Sequence, residues 1–421
     1  MPRNTHFELF QDHTRLKHFL LEVYLQQWAT ILISGRQRKG APPPKSLWFV
    51  DAFAGAGRDE QGTPGSPVIA AKTAMQINAV HYPTVSKTSG MHVLAIEAHP
   101  GRCQQLKQAL EPYASVAEVR DGTLQDLIDK VMPFLQKSRA PALFFLDPFG
   151  VHGLDAKLLP KILGVDRTEI LLLFSDEGAV RLAAKAEAKI PSRDELLAQR
   201  REGRLSLGDA FDAELDKQDR LDVEKIIAGH ASNPRAAQIL DLTFGGKDWR
   251  KILESTPPAQ RRLAFVKLYA EVLKEAGAEY VLRFAVTTGE GRHKYTLMHA
   301  STHPSAFVAM KEAMHRAHKQ RPAADTGQDI FQNLGVDLGG EASDRTFSSD
   351  ADVQEIATQL CTQFGGQSVR WTGNPPGGDI SGYALRETQL LKHELPLLQA
   401  ELTRRGYLTV PKPLTYSFPE I

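Results

Sequence analysis

The sequence predicts an α/β protein built on a doubly wound, mostly parallel sheet. Three observations predict it. Apolar runs of strand length alternate with helix-patterned segments from residue 46 to residue 175, the rhythm of parallel strands joined by crossover helices. Those runs are apolar on both faces, as in a sheet covered on both sides. Two further strands then follow one another across a Gly-containing turn, as an antiparallel hairpin.

Residues 12–34, "DHTRLKHFLLEVYLQQWATILIS", form an amphipathic helix in which Leu16, Phe19, Leu20, Val23, Tyr24, Trp28 and Ile31 recur at helical spacing. Gly35 is expected to end it, ahead of the basic, Pro-rich loop "GRQRKGAPPPK". The strand "SLWFVDAF" comes next. "SPVIAAKTAMQI" is a helix with Ser66 as its cap and Pro67 in its first turn. The pairs "MHVLAIEA" and "HPGRCQQLKQALEPY", "VAEVRDG" and "TLQDLIDKVMPFLQ", and "APALFFLDPFG" and "LDAKLLPKIL" continue the alternation to the strand "TEILLLFS". Residues 178–255, rich in charge and helical in pattern, read as an insertion. A helix from "PPAQRRL" to Gly277, the hairpin "AEYVLRFAVTTGEGRHKYTLMHAST" and the helix "HPSAFVAMKEAMHRAHKQ" close the unit.

The domain plan is therefore an N-terminal helix and basic loop (1–45), a Rossmann-like domain (46–320) carrying the insertion, a linker (321–350) and a small C-terminal module (351–421). In the last, two helical runs and a short strand after Gly406 suggest a winged-helix-like fold, followed by a Pro-rich tail. A sheet ending in an antiparallel hairpin is, by fold-level analogy, the plan of Rossmann-like class I methyltransferases rather than of dehydrogenases.

Composition narrows the classes. The chain has 421 residues, 42% hydrophobic and 24% charged, with formal charge +1. It is an ordinary globular composition with no polycationic character, so nucleic-acid binding would need local basic patches. Only Cys103 and Cys361 are present, which fits a reducing cytoplasm and offers neither a disulfide framework nor a metal cluster. No apolar stretch approaches the roughly 18 residues of a membrane span, and "MPRNTHFELFQDH" lacks the plan of a signal peptide.

In open α/β sheets ligands bind beyond the carboxyl ends of the strands, and four such ends carry candidate chemistry. The first carries Asp51, Ala54, Gly55 and Gly57, a turn where glycine lets backbone approach a ligand closely. The second ends in Glu97, whose carboxylate can accept from both ribose hydroxyls. The third ends in Asp121 and Gly122, with the acid placed to meet an adenine amino group. The fourth ends in Asp147, Pro148, Phe149 and Gly150, an acid followed by a rigid residue and a stacking face. Each alone could be a plain connection, a helix cap or a turn. Their succession at consecutive strand ends points to cofactor binding. The turn lacks a full G-x-G-x-x-G, and no P-loop is present.

These residues resemble the three-Cys-motif partner protein family of bacteria. The stretches "HTRLKHFLLEVYLQQW", "FVDAFAGAGRDEQGTPGSPVIA", "AIEAHPGRCQQL", "FFLDPFG", "EILLLFSDEGAVR" and "KYTLMHASTHPSAFVAMKEAM" carry the likeness, from about residue 12 to 316. The resemblance implies S-adenosylmethionine-dependent methyltransferase-like chemistry, and a partner encoded nearby whose three cysteines resemble those of an iron–sulfur radical enzyme. It implies that Asp51, Ala54, Gly55 and Gly57 wrap the methionine part of the cofactor, that Glu97 holds the ribose and that Asp121 with Gly122 meets the adenine. D-P-F-G is similar to the D-P-P-Y-like signature of amino methyltransferases. There the acid accepts from the target NH₂, and Gly150 stands here in place of the aromatic.

On this reading Asp147, Pro148 and Phe149 are the catalytic candidates, and Gly150, His13 and Lys17 the substrate-side ones. His13, Arg15 and Lys17 face either the cofactor mouth or an exposed cap region. The basic loop 35–45 and "LTRRGYLTVPK" could contact phosphates or be solvated faces. His293 and Lys294 read as surface residues and Trp371 as a packing anchor. The leading function is methyl transfer to an amino nitrogen of a nucleic acid or other substrate. The alternative is a catalytically silent cofactor-binding or adaptor protein.

Overall fold

A computed structural model describes residues 5–37, 40, 42–86, 88–148, 150–186, 234–287, 293–319, 351–371, 380–387, 395–411 and 414–418. Phe149, the expected linker 321–350 and residues 187–233 of the expected insertion lie outside the described residues, as does the side chain of His13. The chain divides into two compact units, one within 1–148, 157–174 and 270–421, the other within 149–156 and 175–269.

The first unit is built on a seven-stranded sheet. Its strands are β1 (Ser46–Asp51), β2 (Gly90–Glu97), β3 (Ala117–Asp121), β4 (Ala142–Leu146), β5 (Thr168–Phe174), β6 (Tyr280–Thr287) and β7 (His293–Ser301), in the order β3-β2-β1-β4-β5-β7-β6. The first five run parallel, and β7 lies antiparallel to both β5 and β6. This mostly parallel α/β sheet is compatible with a Rossmann-like fold. The chain leaves β1 toward β2 on one side and returns to β4 on the other, so the crevice beyond β1 is a topological switch point. Every residue of β1, β2, β4 and β5 is buried, which explains runs such as "ALFFL" and "TEILLLF" without polar alternation.

Helices α1 (Thr5–Gln37), α2 (Ser66–His81) and α3 (Pro100–Leu110) join α10 (Pro304–Lys319) over one face of the sheet. Leu21, Tyr24, Leu25 and Trp28 of α1 share a core there with Phe49, Phe145 and Leu297. The other face meets α4 (Leu124–Ser138), where Phe134 sits edge-on to Trp48 at 5.3 Å; α5 (Leu159–Leu163) precedes β5. Thr123 and Asp126 close the α4 N-terminus as a reciprocal capping box.

Two local expectations are corrected. Helix α1 starts earlier than residue 12 and runs through Gly35 to Gln37. A single glycine costs a helix only about 1 kcal/mol, and tertiary packing of the apolar stripe outweighs it. Ser66 does not cap α2. Gly65 holds the cap position without a side-chain hydrogen bond, and the buried Ser66 instead offsets part of the rise in the Asp51 pKa.

The C-terminal part of this unit runs α11 (Ala351–Phe364), β8 (Ser368–Arg370), α12 (Ile380–Glu387), α13 (Leu395–Arg404), β9 (Leu408–Pro411) and β10 (Leu414–Ser417). The strands form a small antiparallel sheet ordered β8-β10-β9. The stretch read as a Pro-rich tail is thus its central strand, with Tyr416 fully buried and 5.9 Å from the Trp371 ring. Lys311, buried on α10, donates to the Leu385 carbonyl of α12 at 3.2 Å.

The described part of the second unit is helical: α6 (Asp176–Ala186), α7 (Pro234–Phe244), α8 (Trp249–Ser255) and the first turns of α9 (Pro258–Glu275). Its core places Phe244 against Phe265 and Tyr269. Asp241 accepts from Trp249 Nε1 and Arg250 at 2.8 Å each.

Candidate functional site at the switch point

Strand register brings the candidate acids to one edge. Asp51, the last residue of β1, pairs with Ala95 of β2 and with Phe145 of β4. Glu97 and Asp147 each lie two residues beyond those partners, so they stand level with each other on either side of the loop that follows Asp51. With strands about 4.8 Å apart, their backbones are roughly 10 Å from each other. The loop between them is fixed from both sides, by Ala52 N donating to Phe145 O and Ala54 N to Ile96 O, each at 3.0 Å.

Within that loop Gly55 and Gly57 adopt φ of 63° and 78°, a region that side chains enter only at a cost of about 1–2 kcal/mol. They differ in surroundings. A Cβ on Gly57 would meet Ala109 Cβ at 2.9 Å and Leu106 Cδ1 at 3.0 Å, so this glycine lets α3 approach. A Cβ on Gly55 would meet no atom of the described residues within 4 Å.

Glu97 is buried and knits the edge together. Its Oε2 accepts from Gly55 N at 2.9 Å, and its Oε1 from His99 N at 2.8 Å and Arg102 Nε at 3.0 Å. A carboxylate offers about four lone-pair positions, so capacity remains for a further donor. Asp51 is fully buried. Its Oδ1 accepts weakly from Phe53 N at 3.3 Å, and its Oδ2 has no hydrogen-bond partner among the described residues. Burial pushes its carboxyl up to about 7, with Asp147 adding to the rise and Ser66, the Phe53 amide and Lys17 opposing it.

Helix α1 completes the group. Lys17 Nζ lies 2.5 Å from Asp147 Oδ2, and both side chains are mostly sheltered, at 16% and 20% exposure. The neighbouring His18 is held down to about 4, first by burial and then by Lys17. Burial, and then the Asp147 charge, raise the phenol of buried Tyr295 on β7 well above the usual value. Pro148 is buried.

The remaining candidates are placed differently. Asp121 ends β3 level with Glu97 but is exposed. Gly122 follows with φ 126° and donates to the Glu97 carbonyl at 3.2 Å. Gly150, at φ 80°, belongs to the second unit. His18, Ser66, Arg102 and Tyr295 carry no local sequence signal for this site, because each arrives through packing of an element whose pattern reads simply as helix or strand.

Further along α1, Tyr24 donates to Glu169 Oε2 and Trp28 Nε1 to Glu169 Oε1 at 3.0 Å. His299 Nε2 lies 3.0 Å from both the Tyr24 hydroxyl and Glu169 Oε2. This buried network pins α1 to the amino-terminal end of β5, opposite the edge that carries Asp147.

In the C-terminal helix Glu401 engages both neighbouring guanidinium groups, accepting from Arg404 at 2.7 Å and from Arg405 at 2.8 Å. Arg405 also bonds the Gln354 carbonyl and Thr358. Among the described residues no cluster of His, Cys, Asp and Glu could hold a metal ion, and no helix is long and apolar enough to cross a membrane.

No protein-family model matches the chain, and no curated protein matches it by sequence. Among solved structures it is similar to the bifunctional kinase-methyltransferase WbdD, at 17% identity over 37% of this chain and 29% of that one, with TM-score 0.24. The chain thus corresponds to less than a third of that protein's length. A protein of Legionella pneumophila str. Philadelphia 1 aligns at 9% identity over 70% of this chain and 91% of the other, TM-score 0.34. An uncharacterised protein of Listeria monocytogenes aligns at 11% identity over 60% and 96%, TM-score 0.22. Likenesses at this level carry no argument about chemistry, which rests on the site itself.

Proposed function

We propose that this chain is an S-adenosylmethionine-dependent methyltransferase of the Rossmann-like class I type. It would act on an amino nitrogen of a nucleic acid or other substrate, together with a three-Cys-motif partner. One observation carries the reading: Glu97, the Gly55 loop and Asp147 share one edge at the switch point of a sheet ordered β3-β2-β1-β4-β5-β7-β6. The residues present fit the cofactor. Among the described residues, no atom crowds a Cβ position on Gly55 and none bonds the buried Asp51 Oδ2, so a ligand can approach the first and offer a donor to the second, and Glu97 retains acceptor capacity.

When bound, S-adenosylmethionine supplies an electrophilic methyl group on its sulfonium. Asp51, Ala54, Gly55 and Gly57 would hold its amino-acid end, Glu97 the ribose, and Asp121 with Gly122 the adenine. Asp147 orients the acceptor nitrogen and takes its proton, and the Pro148 carbonyl shares that work. His13 and Lys17 are assigned to the acceptor side. The C-terminal order of helix, strand, two helices and two strands supports the winged-helix reading. Because Glu401 engages Arg404 and Arg405, phosphate contacts there would have to compete with an existing ion pair.

The second reading, a silent adaptor for the partner, is favoured by the Lys17–Asp147 pair, which leaves the candidate acid already engaged. Calorimetry separates the two. Micromolar binding of S-adenosylmethionine and its homocysteine product, lost in Gly55→Arg and Glu97→Ala, supports the enzyme. No binding by folded protein supports the adaptor. Mass spectrometry of RNA, DNA and protein from cells with the chain, without it and with Asp147→Ala then tests for the acceptor.

A further inference from the structure

Helix α1 brings a primary amine to the acid assigned to hold an acceptor amine. Lys17 Nζ sits 2.5 Å from Asp147 Oδ2, within hydrogen-bond distance and largely out of solvent. The placement is built in: downstream on the same helix, Tyr24 and Trp28 bond Glu169 and anchor α1 to the far end of the sheet, and Leu20, Leu21 and Leu25 are buried in the core. Lys17 therefore stands on a rigid element. His18 beside it is held uncharged at neutral pH, so it adds no second cation to compete for the acid. A surface ion pair would need none of this support and contributes little.

We infer that Lys17 is itself a modification site, a methyl acceptor of this chain's own reaction. The inference rests on the methyltransferase reading above and names an acceptor for it. The balance is simple. The Lys17 ammonium gives one proton to Asp147 Oδ2, and its freed lone pair bonds the methyl carbon of a sulfonium donor. The carbon–sulfur bond breaks with its electrons on sulfur. Methyl-lysine, neutral thioether and protonated Asp147 result once the new ammonium retains its remaining protons, and total charge is unchanged.

The test uses the full chain. It is purified, incubated with S-adenosylmethionine bearing a trideuterated methyl group, and the peptide spanning Lys17 is weighed by mass spectrometry, while calorimetry records cofactor binding separately. Expected is a methyl group on Lys17, either already present in the purified chain or added as label. It appears at a rate independent of protein concentration and is absent in Lys17→Arg and Asp147→Asn, both of which still bind the cofactor. Cofactor binding with Lys17 unmodified overturns the inference and leaves the methyltransferase reading standing. So does equal labelling of Asp147→Asn, which would mark adventitious chemistry. Absence of cofactor binding by folded wild-type chain overturns both together.

Discussion

The Gly55 amide donates to Glu97 Oε2 at 2.9 Å, joining the loop after β1 to the end of β2. The same carboxylate caps the turn into α3 through His99 N. A residue proposed to hold a ribose therefore also organises the protein around it.

Replacing Glu97 separates the two roles. Glu97→Gln keeps one acceptor oxygen and is expected to fold with modest loss. Glu97→Ala leaves the Gly55 and His99 amides and the Arg102 guanidinium without their acceptor, at about 1–3 kcal/mol for each donor that stays buried. Both should weaken S-adenosylmethionine by at least about tenfold, the equivalent of one lost charge-assisted hydrogen bond. Titration calorimetry beside urea unfolding measures this, and unchanged affinity in the Ala variant would remove Glu97 from the cofactor site.

The two loop glycines should fail in different ways. Gly57→Ala adds left-handed strain and a clash with α3, and should cost about 2–4 kcal/mol of stability. Gly55→Ala carries the strain alone, about 1 kcal/mol, and its new methyl meets no atom of the described residues. It should unfold close to wild type yet bind cofactor more weakly. Equal unfolding midpoints for the two variants would contradict the packing described for Gly57.

Asp51 and His18 impose opposite pH dependences. The Asp51 carboxyl rises from 3.8 to about 7 on folding. Between those values the folded chain holds a proton that the unfolded chain has lost, so stability falls as pH rises, by up to about 1.4 kcal/mol per unit. His18 falls from 6.5 to about 4. In that window the unfolded chain holds the extra proton, so stability rises with pH. The two nearly cancel between about pH 4 and 6.5. Asp51→Asn should expose the rising slope and His18→Gln the falling one in denaturant unfolding across pH. Parallel profiles for the two variants would refute the assignment.

Glu169 should matter more than an ordinary strand residue. Glu169→Ala strands the buried Tyr24 and Trp28 donors, and should cost about 3–5 kcal/mol. Tyr24→Phe, which removes one donor and leaves Trp28 bonded, should cost about 1–2 kcal/mol. Urea midpoints give both values. Near-neutral Glu169→Ala would show that the hydrophobic face alone anchors α1.

The elements were readable where pattern is local. Runs such as "WFVDAF" and "LFFLDPFG" announce strands closing into turns, and "TLQDLIDKVMPFLQ" announces a helix. Their limits lay where competition decides. Ser66 sits in a capping context but Gly65 takes the cap position, and the tail after Pro411 pairs as a strand because β8 offers it an open edge. Glu169 lies in an apolar strand and shows nothing of its partners, which come from 141 residues upstream and 130 downstream.

The sequence by itself determined the alternating α/β plan, the closing hairpin and the acids that end successive strands, because periodicity and turn chemistry act between near neighbours. Only the tertiary structure decided that Glu97 and Asp147 stand level across the β1 loop, that Lys17 reaches Asp147, and that Tyr295 and His18 join them. Those relations depend on strand order and helix docking, which long-range burial selects and no local pattern encodes.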